Sequence, residues 1–362
     1  MSNEAPKGPP STGLRIGALV VWEGEIYTLV GIDPAGVRQP SVYLENPATA
    51  ETSRVPLSAI SPVEDGSNLA RPPIAFAGAA SRGWPPLSRC ANLGGVAATL
   101  LLDAYGNFSR FREAFPGASA DLERRLRVDY PGLLDGDRWL LPFRGVLVRT
   151  QAAAVLIDTG VGPPPGAFLP QRQALLPRAL AESGVHPDDI DLVFLTHLHV
   201  DHVGWTVVDE KPFFTRARHV VSATEWDFMS ERVESREVFT SKLAPLARRG
   251  MIDLIDLAET ELVPRVVAFP TPGHTPGHMS VRLLGTRSEV CVTGDAAVHP
   301  AQIQDVALAY IHEEDAAQAA RTRGTLCEWL ATTGTAAAVG HFPGGLGRLV
   351  SGAGTSYGWE EA

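Results

Sequence analysis

Apolar and polar positions divide the chain into a β-rich start, a polar break and a long stretch where strands and helices alternate. "LRIGALVVWEGEIYTLVGID" holds two β-rich runs that meet at Glu23-Gly24-Glu25, and "PSVYLENPATAETSRVPLSAISPV" offers two more short strands. They predict a small SH3-like β-barrel over residues 14–63, after a disordered leader at 1–13. Residues 64–91 are rich in Pro, Gly, Ser and Ala, the composition of a linker. The second domain is placed at 92–350, with a C-terminal tail at 351–362. It opens on the strand "VAATLLLD" and continues with a hairpin of core strands, "DRWLLPFRGVLVRT" and "AAVLIDTG". A helical pattern runs from Leu169 to Ser183, and "IDLVFLT" is a short buried strand. "ARHVVS" leads into a helix that Ser222 can cap. Three more β segments, a helix at "EEDAAQAARTRGTLCEWLATTG" and a last strand at "AAAVGHFPGG" complete an α+β pattern.

Composition narrows this little. The chain has 362 residues, 44% of them hydrophobic and 20% charged, as in ordinary globular proteins. No apolar run reaches the roughly 18 residues of a membrane span, and no apolar signal core opens the chain, so a cytoplasmic protein is expected. A net charge of −10 weighs against a nucleic-acid partner. Three cysteines, far apart and odd in number, form neither a zinc knuckle nor a disulfide frame.

The chemistry concentrates in histidine. There are ten in all, none before His186, and "THLHVDHVG" packs His197, His199, Asp201 and His202 into six positions. His197 and His199 are two apart, so on an extended strand end they face the same way. Imidazole and carboxylate together suit Zn²⁺ and related divalent ions. Four such ligands on one turn exceed what a single open site takes from one segment, which points to a pair of metals. "TPGHTPGH" adds His274 and His278, "VTGDAAVHP" adds Asp295 and His299, and "AVGHF" adds His341 and Phe342. Each group follows a strand, which implies one shared edge.

"THLHVDHVG", "TPGHTPGH", "GDA" and the late "GHF", with "VLIDTG" upstream, resemble the metallo-β-lactamase superfamily in order and separation. The resemblance implies an αβ/βα four-layer sandwich with the site at one edge. Carried over by motif position, His197, His199 and His274 hold a first metal, Asp201, His202 and His341 a second, and Asp295 bridges. Asp158 orients a ligand, and His278 ties its loop down through a hydrogen bond. Two departures stand out. Trp205 follows Gly204 where the family has a second glycine, and is expected to wall the pocket. Val298 stands where lactonase-like members carry a substrate-contacting tyrosine. Val298, His299 and Phe342 join Trp205 as candidate pocket residues.

The implied activity is hydrolysis of a small ester, lactone, thioester or related substrate by a hydroxide shared between two Zn²⁺ per chain. Asp201 is the expected catalytic carboxylate, a ligand first and a proton shuttle second. The alternatives are a mononuclear iron dioxygenase acting on sulfur compounds and a nuclease of the same superfamily. The expected partner is a small-molecule substrate, without nucleic acid or membrane, in a chain that is compatible with a homo-oligomer. His219 is expected to be structural, and His186 and His312 to face solvent.

Overall fold

A computed structural model of the chain describes residues 19–23, 25–32, 41–46, 52–62, 87–163, 174–352 and 356–361. The expected leader at 1–13 and most of the expected linker fall outside them. The chain divides into two compact units, Met1–Phe76 and Ala77–Ala362.

In the first unit, β1 (Leu19–Trp22), β2 (Glu25–Ile32), β3 (Ser41–Glu45), β4 (Thr52–Pro56) and β5 (Ser61–Pro62) form one antiparallel sheet in the order β4-β3-β2-β1-β5. Val20, Val42, Leu44 and Val55 fill its core.

The second unit is built on two mixed sheets. The strands of the first are β6 (Ser88–Asn92), β7 (Ala97–Arg110), β8 (Leu134–Asp135), β9 (Arg138–Arg149), β10 (Ala154–Ile157) and β11 (Leu192–Phe194). A separate ribbon, β12 (Val207–Val208) and β13 (Lys211–Pro212), intervenes before β14 (Arg218–Ser222) and β15 (Ile252–Ile255) return to that sheet. Its order is β15-β14-β11-β10-β9-β7-β6, with β8 paired to β9. The strands of the second sheet are β16 (Thr260–Val263), β17 (Val266–Pro270), β18 (Met279–Leu284), β19 (Glu289–Val292), β20 (Ala336–Ala338), β21 (Leu346–Ser351) and β22 (Tyr357–Glu361), paired in chain order.

The sheets meet through alternate apolar side chains. Leu100, Val146, Val155 and Phe194 of the first share a dry core with Val266, Val281, Val290 and Ala338 of the second. Helices cover the outer faces. On the first sheet these are α1 (Ala120–Asp129), α2 (Leu176–Glu182) and, beyond the four-residue turn α3 (Val200–Val203), α4 (Ala223–Glu231). On the second, α5 (Ala316–Thr333) packs Leu326, Cys327 and Leu330 over Cys291, Ala337 and Leu349. The result is a four-layer αβ/βα arrangement.

Two boundaries differ from expectation. Residues 88–91, expected in the linker, belong to β6, and residues 357–361, expected in a tail, form β22 against β21. Alternation in "YGWEE" is too short to be read as a strand until its partner is in place. Cys291 and Cys327 are buried, whereas Cys90 is exposed.

Strands β10, β11, β14 and β15 run parallel, as do β19 and β20. Their C-terminal ends lie at one edge of the sandwich, where open α/β sheets present loop residues to ligands.

Candidate metal centre

Most site residues leave a strand end, and Asp201 and His202 lie on the turn α3 just after β11. Asp158 follows β10, His197 and His199 follow β11, His274 follows β17, Asp295 follows β19 and His341 follows β20. The structure brings seven residues together in two sets, His197–His199–His274 and Asp201–His202–Asp295–His341. In the first set, Nδ1 of His199 lies 3.1 Å from Nε2 of His197 and 3.0 Å from Nε2 of His274. In the second, Oδ2 of Asp201 lies 3.5 Å from Nε2 of both His202 and His341. Asp295 faces both. Its Oδ2 is 3.4 Å from His274 and 3.8 Å from His197, and its Oδ1 is 3.4 Å from His202 and 3.2 Å from His341.

Two ligands about 2.1 Å from one ion at the tetrahedral angle lie roughly 3.4 Å apart, so the separations around Asp201 and Asp295 fit shared cations, while those within the first set are also of hydrogen-bond length. Nε2 of His202 and Oδ1 of Asp295 are buried without a hydrogen-bond partner among the described residues. Two such orphans side by side are costly unless a cation satisfies both.

The far sides of the rings explain their aim. Nδ1 of His202 donates to Oδ2 of Asp158 at 2.8 Å, and Nδ1 of His341 donates to the Pro142 carbonyl at 2.8 Å. Thr196 donates to Oδ2 of Asp158 at 2.8 Å and so accepts from Nδ1 of His197 at 3.1 Å. Each bond fixes the tautomer and leaves an Nε2 lone pair directed into the site.

His278 is different. Its Nδ1 donates to the Thr271 carbonyl at 3.0 Å, and its Nε2 accepts from the Asp295 backbone N–H at 2.9 Å. Both nitrogens are used, so it props the Asp295 loop. Gly294 permits this approach, because a Cβ there would sit 2.5 Å from the His278 ring nitrogen.

Charge is arranged to match. Burial keeps His197 and His274 neutral, with pKa values well below the ordinary imidazole range. Burial opposes a charge on His202 and His341 too, but the surrounding carboxylates outweigh it and raise both. Burial likewise opposes ionisation of Asp201 and Asp295. The neighbouring imidazoles prevail, holding Asp201 at about 2 and Asp295 well below its usual value. The second set therefore draws positive charge, which a divalent cation carries.

The site floors a cavity of about 580 Å³. Phe108, Trp139, Leu141, Phe143 and Val298 line its apolar wall, and Arg232, Glu234, His312 and Glu314 stand among its polar residues. Three pocket expectations are corrected. Trp205 is fully buried, with its indole N–H donated to Oδ1 of Asp103 at 2.7 Å, and takes no part in the wall of this cavity. Phe342 is also fully buried and packs on Trp359 of β22, with ring centroids 5.1 Å apart. His299 lies behind the wall, its ring 4.9 Å from that of Trp139 and its Nδ1 accepting from the Ala301 N–H at 2.9 Å. Burial holds its pKa down to about 3. Val298 does line the cavity, and His312, expected to face solvent, is exposed on its rim.

Sequence reasoning missed three supports. Glu225 accepts from the Leu198 N–H at 3.0 Å and the Gly277 N–H at 3.2 Å, joining the two histidine loops. Arg144 donates to the Gly340 and Phe342 carbonyls at 2.7 and 2.8 Å, clamping the turn that carries His341. Asp103 accepts from the Val161, Gly162 and Leu176 N–H groups as well as from Trp205. For Asp103 and Arg144 the available signal was a lone charge inside an apolar run, whereas Glu225 lies in a polar helix and gave none.

The model of the metallo-beta-lactamase superfamily matches residues 145–326. The chain belongs to that superfamily. An N-acyl homoserine lactonase of Bacillus thuringiensis is 28% identical over 183 residues, which is 46% of this chain and 68% of the relative. A probable metallo-hydrolase, YflN, of Bacillus subtilis (strain 168) is 30% identical over 160 residues, 40% of this chain and 55% of the relative. Among solved structures, the hydrolase AbOPH superposes with a TM-score of 0.69 at 24% identity, over 76% of this chain and 97% of that one. AidC, a dizinc quorum-quenching lactonase, gives 0.67 at 22% identity, over 76% and 98%. These two likenesses show the fold.

Proposed function

We propose that the chain is a dinuclear metal-dependent hydrolase of small ester or lactone substrates. The observation that carries this reading is Asp295, with one carboxylate oxygen toward each set of ligand nitrogens. His197, His199 and His274 would hold one cation, Asp201, His202 and His341 the other, and the donor set suits zinc. Two such cations supply Lewis-acid polarisation of the scissile carbonyl and lower the pKa of water toward neutrality.

The chain's own groups do the rest. The apolar wall of Phe108, Leu141, Phe143 and Val298 takes the apolar part of a substrate and excludes water around the reacting carbonyl. Asp201 stays ionised at neutral pH and borders the cavity, placed to accept a proton on its way to the leaving oxygen. The lactonase relatives support the ester or lactone preference, and the net charge of −10 favours a small molecule over nucleic acid. We further propose that the N-terminal sheet belongs to an SH3-like barrel and that the protein is cytoplasmic. No described helix is long and apolar enough to cross a membrane.

The test is metal analysis with a panel of ester, lactone, thioester, phosphotriester and RNA substrates. Turnover of esters or lactones with two metals bound supports the reading. One iron with sulfur oxidation, or RNA cleavage, replaces it with the corresponding alternative.

A further inference from the structure

Among the described residues lining the cavity, Tyr310 is the one tyrosine. It is 8% exposed. Its ring is parallel to that of His274, with an interplanar angle of 6° and centroids 6.3 Å apart. It shares the cavity with Asp201, Asp295 and His341, and its hydroxyl lies within the field of both carboxylates. No hydrogen bond of that hydroxyl is found among the described residues. A phenol is ordinarily protonated at neutral pH, so this one is a donor on a residue that lines the cavity.

The turn behind it is tightly fixed. The Tyr310 N–H donates to Oε2 of Glu313 at 3.2 Å, and its carbonyl accepts from the Glu313 N–H at 3.0 Å. Oε1 of Glu313 accepts from Arg323 at 2.7 Å and from Gln302 at 2.8 Å. Arg323 also donates to the Ala296 carbonyl at 3.2 Å, and Gln302 accepts from the Val298 N–H at 2.9 Å. One buried network therefore sets the tyrosine and the loop after Asp295 together, and a fully satisfied network of this kind rigidifies what it holds.

We propose that Tyr310 is the substrate-facing hydrogen-bond donor of this site, giving its O–H to the substrate oxygen that gains negative charge while keeping its proton. A preorganised donor at that position stabilises developing charge without reorganisation. The assignment rests on the hydrolase reading for the identity of the oxygen.

The test compares the metal-loaded wild type with Tyr310→Phe, which keeps the ring. An alkyl phosphonate, a tetrahedral anion, is titrated by calorimetry, ester turnover is measured, and bound metal and thermal midpoint are recorded. The expected result is unchanged metal content and midpoint. Phosphonate affinity and kcat/KM fall roughly 10–100-fold, the size of one hydrogen bond to a charged oxygen, with most of the loss in kcat. Unchanged phosphonate affinity overturns the assignment, and so does loss of metal, which makes the residue a structural support. A wild type that hydrolyses no ester or lactone removes the hydrolase reading, and the phosphonate titration then still decides Tyr310.

Discussion

Asp158 and His202 are joined by a 2.8 Å hydrogen bond between Oδ2 and Nδ1. Asp158 sits in the left-handed region at φ 58°, and its carboxylate also accepts from the Thr196 N–H and hydroxyl. One acid thus aims His202 directly and His197 through Thr196. Asp158→Asn keeps the shape and removes the charge. Metal affinity should fall about 10–100-fold with the fold intact, as for other groups that orient a ligand. Competition with a chelator measures this, and an unchanged affinity would make the bond structural only.

The histidines separate by what their nitrogens touch. His274→Ala should remove one metal and nearly all turnover, because its Nε2 faces the first set. His278→Ala should weaken metal binding about 10–100-fold without emptying the site, because it acts through the Asp295 backbone. Metal content and activity of the two variants, measured side by side, check the distinction. Equal loss of metal in both would contradict it.

Trp205→Phe should lower the thermal midpoint and leave the substrate range unchanged. The change strips an indole donor from buried Asp103, a loss of about 1–3 kcal/mol. A shift in substrate preference at unchanged stability would return Trp205 to the pocket wall.

His219 sets part of the acid limit. It is fully buried, and the backbone of Ala217 and Met251 beside its ring offsets that burial only in part. Burial lowers its pKa from 6.5 to about 4. The unfolded chain therefore binds the proton more readily, so this stability is complete above pH 6.5 and is lost as pH falls toward 4. The full loss is on the order of 3 kcal/mol. Thermal midpoints from about pH 7 to 4 should fall less steeply for His219→Leu than for the wild type. Parallel curves would show that His219 does not titrate on unfolding.

The clustering of these seven residues was legible because they are rare, polar and placed near the ends of apolar runs, and the strand order then needed only parallel pairing to gather them. The pocket was not. Trp205 and Phe342 are large and near the motif residues in sequence, but burial depends on which face of a loop meets the core, and Asp103, about a hundred residues upstream, decides that for Trp205. Arg144 is set by contacts almost two hundred residues away, and Tyr310 reaches the cavity only where the fold brings it beside His274, which no local pattern records. Strand β22 was read as a tail for the same reason, since its partner β21 supplies the pairing.

The central claim is that Asp295 bridges two cations. Elemental analysis of the purified wild type beside Asp295→Ala measures it most directly. The account predicts about two divalent metals per chain, mostly zinc, in the wild type and a loss at both positions in the variant. A wild type holding one metal, or a variant that keeps both, would contradict it.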